Sequence, residues 1–219
     1  VGTTRATVDG ERGATTDRIL DAALRSFGSR GYEATSLDDL AGELGITKQT
    51  ILYWFPSKAA LLDAVIDRAA ADLAEALEHG LERAGPGWDR IRALVDAVLR
   101  IGLRQPELLG LVREVSRLGP PATDRMTAVL DPLVQRARAF LEAEMAAGRM
   151  RPTDARLVLM SAYSTVLGMA TEVDVLRAVG EEPTIASLRR RRRELLRFLR
   201  SALEVDEAEA EASGLRSPT

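Results

Sequence analysis

Between Ser36 and Pro56 the chain has room for two short helices and a tight turn, and for little else. Ser36 with Asp39 three residues on forms a carboxylate version of the capping box, in which each side chain satisfies a backbone donor of the other residue. Leu37, Leu40, Ala41 and Leu44 recur at helical spacing and give one apolar face. Gly45-Ile46-Thr47 turns the chain, and the Thr47 hydroxyl caps the next helix. Pro56 ends that helix, because the residue before a proline avoids helical geometry. Two short helices joined by a glycine-containing turn form a helix-turn-helix. The remaining chain has to hold this element in place.

The rest reads as helices too. Residues 1–14 mix glycine, threonine and charge without periodicity and are expected to form a flexible arm. Thr15 or Thr16 caps a helix starting at Asp17, with Ile19, Ala22, Ala23 and Phe27 on one face and Gly31 as a left-handed stop. After Pro56, Ser57 caps a long helix carrying Leu62, Val65, Ile66, Ala69, Leu73, Ala76 and Leu77. Trp88, Ile91, Val95, Val98 and Gly102 mark a fifth helix, and Leu108 to Leu118 a sixth that is apolar nearly all round. A seventh runs from Met126 to about Gly148, an eighth over 154–178, and a last from Ile185 to Leu203. Aromatic residues make up only 4% of the chain, β-branched runs are scarce and no strand pattern appears, so the fold class is all-α with about nine helices. The expected division is a helix-turn-helix domain over 15–58 and a larger helical domain over 59–205. The acidic, Ala/Glu/Ser-rich residues 206–219 are expected to be disordered.

Composition removes several classes of chemistry. There is no cysteine, so disulfides, thiol nucleophiles and zinc–cysteine sites are excluded. A single histidine, His79, does not support a histidine metal cluster or a Ser-His-Asp triad, and no metal or cofactor is expected. No apolar run approaches the ~18–20 residues of a membrane span. A cytoplasmic protein with no membrane partner is expected.

The two lysines of the whole chain, Lys48 and Lys58, bracket Tyr53-Trp54-Phe55. Such a stretch suits a phosphate backbone. Yet the first 58 residues carry seven Lys+Arg and eight Asp+Glu, a net of −1. Any nucleic-acid contact must therefore come from where the basic groups sit, not from how many there are.

From Ile19 to Val65 the sequence resembles the N-terminal domain of the tetracycline-repressor (TetR) family. The resemblance rests on Ala22-Ala23, Phe27, Arg30-Gly31-Tyr32, Thr35-Ser36-Leu37, Leu44-Gly45-Ile46, Thr50 and Tyr53 to Lys58. It implies a nine-helix homodimer in which helices one to three bind double-stranded DNA and the later helices bind an effector and pair the subunits. Ile51 and Phe55, four apart, should face the small core, leaving Lys48, Gln49, Thr50, Tyr53 and Trp54 on the other arc. Lys48 and Gln49 lie at the helix start, where a recognition helix meets base edges: Gln bonds adenine, and Lys reaches guanine. Thr50, Tyr53 and Lys58 match family positions that hold phosphates, contacts that set register without reading sequence. Ser36 would meet phosphate at the N-terminus of the second helix, where free amides and the helix dipole favour an anion. Two residues depart from the family pattern. Leu52 replaces a frequent tyrosine, and Trp54 replaces a frequent histidine; Trp54 either donates its indole N–H to phosphate or packs.

The resemblance also implies an effector pocket. The expected lining is Val98, Leu103, Leu109, Val112, Arg113, Met126, Leu130, Tyr163 and Leu167. The expected dimer interface uses the small residues of the eighth helix and the last helix: Ser161, Thr165, Gly168, Arg192, Leu195 and Leu199. Arg192 sits on the apolar line of the last helix, inside the run Arg189–Arg193; it is expected either to be partly buried and paired with Glu172 or Asp174 of either subunit, or to lay its stem along the interface with its charge in water.

The function expected is ligand-responsive transcriptional regulation by a non-enzyme. A repressor is released from a palindromic operator by a small, largely apolar effector. Two other readings stay open. One is an all-α carrier or enzyme with an apolar cavity, which lacks a nucleophile–base pair and leaves Lys48 to Lys58 unexplained. The other is a DNA-binding regulator with no effector pocket.

Overall fold

The computed structural model describes residues 3–171, 173–182 and 184–205, with backbone only for 3–12 and 173–175. Its ten helices are α1 (Thr3–Arg30), α2 (Leu37–Leu44), α3 (Lys48–Trp54), α4 (Lys58–Glu82), α5 (Trp88–Arg104), α6 (Pro106–Leu118), α7 (Ala122–Ala146), α8 (Ala155–Thr171), α9 (Val173–Ala178) and α10 (Ile185–Leu203). Among the described residues there is no strand, and no helix is long and apolar enough to cross a membrane. The expected acidic tail, 206–219, lies outside the described residues. The chain forms two compact units, one of Val1–Glu75 with Ile101–Leu130 and one of Ala76–Arg100 with Asp131–Thr219.

In the first unit, Ile19, Ala22, Ala23 and Phe27 are fully buried, as their spacing implies. The start of α1 differs from expectation. Helical backbone runs through residues 3–14 instead of an irregular arm, and neither Thr15 nor Thr16 caps it. The stretch contains no proline, and its glycines and threonines each cost a helix about 1 kcal/mol or less, so nothing in it forces a stop.

The first unit is larger than the expected domain over 15–58 because α6 packs on α1. Two glycines make this possible. A Cβ on Gly28 would lie 2.1 Å from the Glu107 carbonyl oxygen, and one on Gly110 would lie 2.2 Å from the Gly28 carbonyl oxygen. The two backbones touch where any other residue would hold them apart. Around this contact Leu108, Leu109, Leu111, Val112 and Val115 are buried, which is why α6 reads as apolar nearly all round. Two arginines brace α4 in the same unit. Arg68 reaches Asp21 at 2.8 Å on α1, and Arg125 of α7 holds Asp67 through two bonds of 2.6 Å.

The second unit has two apolar clusters. Val95, Leu99, Val166, Leu195 and Leu199 form one. Leu141, Met150, Ala155 and Leu203 form the other, and Trp88 and Ile91 pack against both. The buried stripe of α10 is Ser187, Arg191, Leu195, Leu199 and Leu203, spaced every fourth residue. The arginine on this stripe is thus Arg191, one position before the one expected. Its guanidinium donates to the Met169 carbonyl at 2.5 Å. Met169 lies on α8, so Arg191 ties α10 to α8. At the start of α8, Asp154 accepts from the Arg156 amide at 2.9 Å and from its guanidinium.

Gly28→Ala should destabilise the fold by about 1–3 kcal/mol through overpacking. Gly42→Ala, in a helix with open space around that glycine, should stabilise it by about 0.5–1 kcal/mol; urea denaturation of the pair checks both signs. The guanidinium and amide of Arg156 lower the Asp154 carboxyl from 3.8 to about 2. A carboxyl depressed on folding stabilises above its unfolded value and loses that contribution as pH falls through the folded one. Acid unfolding of Asp154→Asn should therefore differ from the parent above about pH 4 and converge with it towards pH 2.

Candidate nucleic-acid interface

The cap of α2 forms as read. The Ser36 hydroxyl accepts from the Asp39 amide at 3.0 Å, and Asp39 accepts from the Ser36 amide at 3.0 Å and its hydroxyl at 2.7 Å. The Ser36 hydroxyl and then its amide hold the Asp39 carboxyl below the usual carboxylate range. Both donors that Ser36 would offer a phosphate are thus engaged, and Asp39 must swing away before an anion can take its place. Gly45, at φ 66°, closes α2 by turning the chain left-handed. Thr47 caps α3, its hydroxyl accepting from the Thr50 amide at 3.2 Å.

Ile51 is fully buried and Phe55 is 8% exposed, so both anchor α3 in the core as expected. The opposite arc carries Lys48 and Gln49, both exposed, with Thr50 and Trp54 half-buried. Tyr53 is 73% exposed, the most exposed large apolar side chain among the described residues, and meets Trp54 edge-on at 5.0 Å. An aromatic left that far in water takes no part in the core. Lys58, half-buried, places its ammonium 4.2 Å from the centre of the Tyr32 ring.

The charge on this surface is partly cancelled within the molecule. The Lys48 ammonium donates to Asp38 at 2.8 Å. Both side chains are largely in solvent, so the pair is worth at most about 1 kcal/mol and is readily exchanged for a phosphate. Arg25 is tied to Glu43, and Arg18 to the Leu44 carbonyl. The net charge of the region therefore says little about the few cations that face outward.

The family of bacterial regulatory proteins, tetR family, matches residues 19–65. The chain belongs to the TetR family of transcriptional regulators. Among its relatives is the HTH-type transcriptional repressor DrrR1 of Streptomyces coeruleorubidus, 32% identical over 120 residues, an alignment covering 53% of this chain and 42% of that protein. The HTH-type transcriptional regulator RutR of Escherichia coli K12 is 26% identical over 162 residues, covering 74% and 76%. Among solved structures, a transcriptional regulator from Saccharomonospora viridis in complex with choline superposes with a TM-score of 0.72 at 22% identity, covering 89% of this chain and all of that one. The TetR regulators are a non-enzyme class, in agreement with the sequence reading.

Within this TetR-family fold, the residues expected to line an effector pocket differ in environment. In the first unit Leu109, Val112 and Met126 are buried, Leu130 is half-buried, and Leu103 and Arg113 are exposed. In the second unit Val98 packs against the Val95 cluster, Leu167 is half-buried, and Tyr163 is 50% exposed. A half-open cleft of about 190 Å³, lined by residues not on that list, lies in the second unit beside Trp88, Glu144, Arg149, Met150 and Arg200.

The residues expected at a dimer interface also divide. Ser161 is exposed, and Thr165 and Gly168 are half-buried. Leu195 and Leu199 take their burial from their own chain. Arg192 pairs with Asp96 of α5, its Nη2 lying 2.7 Å from Oδ2. Of the partners expected for it, Glu172 and the Asp174 side chain lie outside the described residues. Besides Tyr163 and Ile185, α8 and α10 leave Leu157, Met160 and Phe198 in solvent, three residues the sequence pattern did not single out.

The sequence does not reveal the pairings of Asp38, Tyr32 and Glu114. Asp38 lies ten residues before Lys48, and their pairing depends on the angle between α2 and α3, which spacing alone does not provide. We expect Asp38→Asn to free Lys48 and tighten DNA binding a few-fold, with a log-affinity against log-salt slope steeper by up to about one. Tyr53→Ala should weaken all sequences about equally, whereas Gln49→Ala should change which sequences are bound; binding profiles across a randomised duplex pool distinguish the two.

Proposed function

We propose that the chain is a ligand-responsive repressor that binds an approximately palindromic operator as a homodimer and releases it when a small, largely apolar effector binds. The observation that carries this is the two-faced α3: Ile51 and Phe55 are sunk in the core while Lys48, Gln49 and Tyr53 stand in solvent. One such helix spans only part of a binding site, and two related by a two-fold axis read two half-sites about one helical turn apart. The solvent-facing Leu157, Met160 and Phe198 of α8 and α10 supply the apolar surface a second copy would cover. Ser36, Thr50, Trp54 and Lys58 complete the DNA-binding set, with Trp54 contributing its indole edge.

Repression is supported by the likeness to the transcriptional repressor DrrR1, and a small-molecule effector by the choline complex of the S. viridis regulator. The effector proposed here is apolar, because the residues expected to receive it are mainly aliphatic. It acts only if it favours one spacing of the two recognition helices over the other, since tight binding without that preference changes nothing.

Selection of duplexes from a random-sequence pool tests the reading. The expected result is enrichment of an inverted repeat whose half-sites lie one helical turn apart, bound in a salt-sensitive way. Recovery of no preferred sequence would overturn it. A compound panel screened by thermal shift, followed by loss of binding to the enriched duplex, tests the effector; compounds that raise the melting temperature without moving DNA affinity would remove that part.

A further inference from the structure

Lys58 is linked to α6 by a chain of contacts within the first unit. Its ammonium lies 4.2 Å from the centre of the Tyr32 ring and donates to the Glu33 carbonyl at 3.5 Å. The Tyr32 ring is held edge-on by Phe27 at 5.4 Å, and Phe27 is fully buried. The backbone is held just as firmly. Gly31 closes α1 at φ 91°, its amide returning to the Phe27 carbonyl at 3.1 Å. In the usual closure the following amide would also return to the helix. Here the Tyr32 amide donates instead to Glu114 Oε1 at 2.7 Å, a carboxylate on α6.

Glu114 is 9% exposed and is itself fixed by Arg117, whose Nε and Nη2 donate at 2.8 and 2.7 Å. A Cβ on Gly31 would lie 3.4 Å from the same carboxylate. Close by, Gly110 and Gly28 bring the two helix backbones into contact. Nothing soft lies between Glu114 and Tyr32. The last link also differs in kind from the one at Lys48. An aromatic face orients an ammonium without cancelling its charge, so Lys58 is held in place and stays available to an anion.

We propose that Glu114 is a positioning residue for DNA binding: through the Tyr32 amide and ring it sets where Lys58 meets the phosphate backbone, so that α6 controls one phosphate contact. The proposal rests on the reading of Lys58 as a phosphate ligand. Glu114 itself touches no DNA. A shift of α6 relative to α1 would draw on the Tyr32 amide and carry the ring, with the ammonium above it, away from its place.

The test is a double-mutant cycle on the full chain, with the duplex recovered by the unaltered protein from a random pool and affinities measured over a salt series. Lys58→Ala should lower the slope of log affinity against log salt by about one per subunit. Glu114→Ala should weaken binding by roughly 2- to 30-fold and lower the slope by the same amount, yet have no further effect in the Lys58→Ala background. Glu114→Gln, whose amide oxygen still accepts from Tyr32, should stay close to the parent. Equal losses from Glu114→Ala with and without Lys58, or an unchanged slope, would show a purely structural role and overturn the proposal. If Lys58→Ala itself leaves the slope unchanged, the phosphate reading of Lys58 falls and the proposal with it. If Glu114→Ala does not fold, Tyr32→Leu takes its place in the cycle; non-additivity with Lys58→Ala supports the link, and additivity overturns it.

Discussion

A helix of seven residues is not stable in water by itself, because too few hydrogen bonds follow the cost of nucleating it. The rest of the first unit answers that constraint on α3. Thr47 closes its first turn, and Gly45 ends α2 so that the chain re-enters helix at once. Ile51 and Phe55 are its buried anchors, and burying each contributes about 1.5–3 kcal/mol. With the helix held by one side, the other is not needed for the core. That freedom lets Tyr53 stand in water and Lys48 and Gln49 point outward from the first turn.

The support under α3 is itself set by backbone contact. Gly28 and Gly110 let α1 and α6 approach until carbonyl oxygens touch α-carbons, and close-packed interiors transmit displacement instead of absorbing it. Glu114 makes the joint polar as well as tight. It takes up an amide that the end of α1 leaves unpaired, and Arg117 keeps it charged, its hydrogen bonds and the Tyr32 amide together outweighing burial so that the carboxyl stays below the ordinary range. The same unit has a second, softer set of links in Arg68 and Arg125, which tie α4 to α1 and to α7 through solvent-exposed carboxylates. Exposed pairs of this kind weaken as salt rises, whereas the glycine contact does not.

Much of this was legible in the chain. The capping box at Ser36, the turn at Gly45, the core roles of Ile51 and Phe55 and the outward arc of α3 all follow from local chemistry and helical period, and all appear in the structure. The failures share one cause. Thr15 and Thr16 look like caps, but a cap acts only where the chain leaves the helix, and α1 has nothing there to make it leave. Arg192 and Arg191 differ by one position in a run of five arginines; which of them points inward depends on how α10 is rotated against α5 and α8. The apolar line of leucines fixes that rotation only to within about one residue, or roughly 100°.

The sequence by itself determined the helices of the helix-turn-helix, their caps and turns, and the division of α3 into an anchoring and an outward face, because each depends on residues within a few positions of one another. Tertiary structure alone decided which charges are cancelled and which are held ready. Lys48 lies beside Asp38 and Lys58 above Tyr32, and the Tyr32 amide is completed by a carboxylate 82 residues away on α6. Those pairings depend on the distances and angles between helices, and no local pattern encodes them.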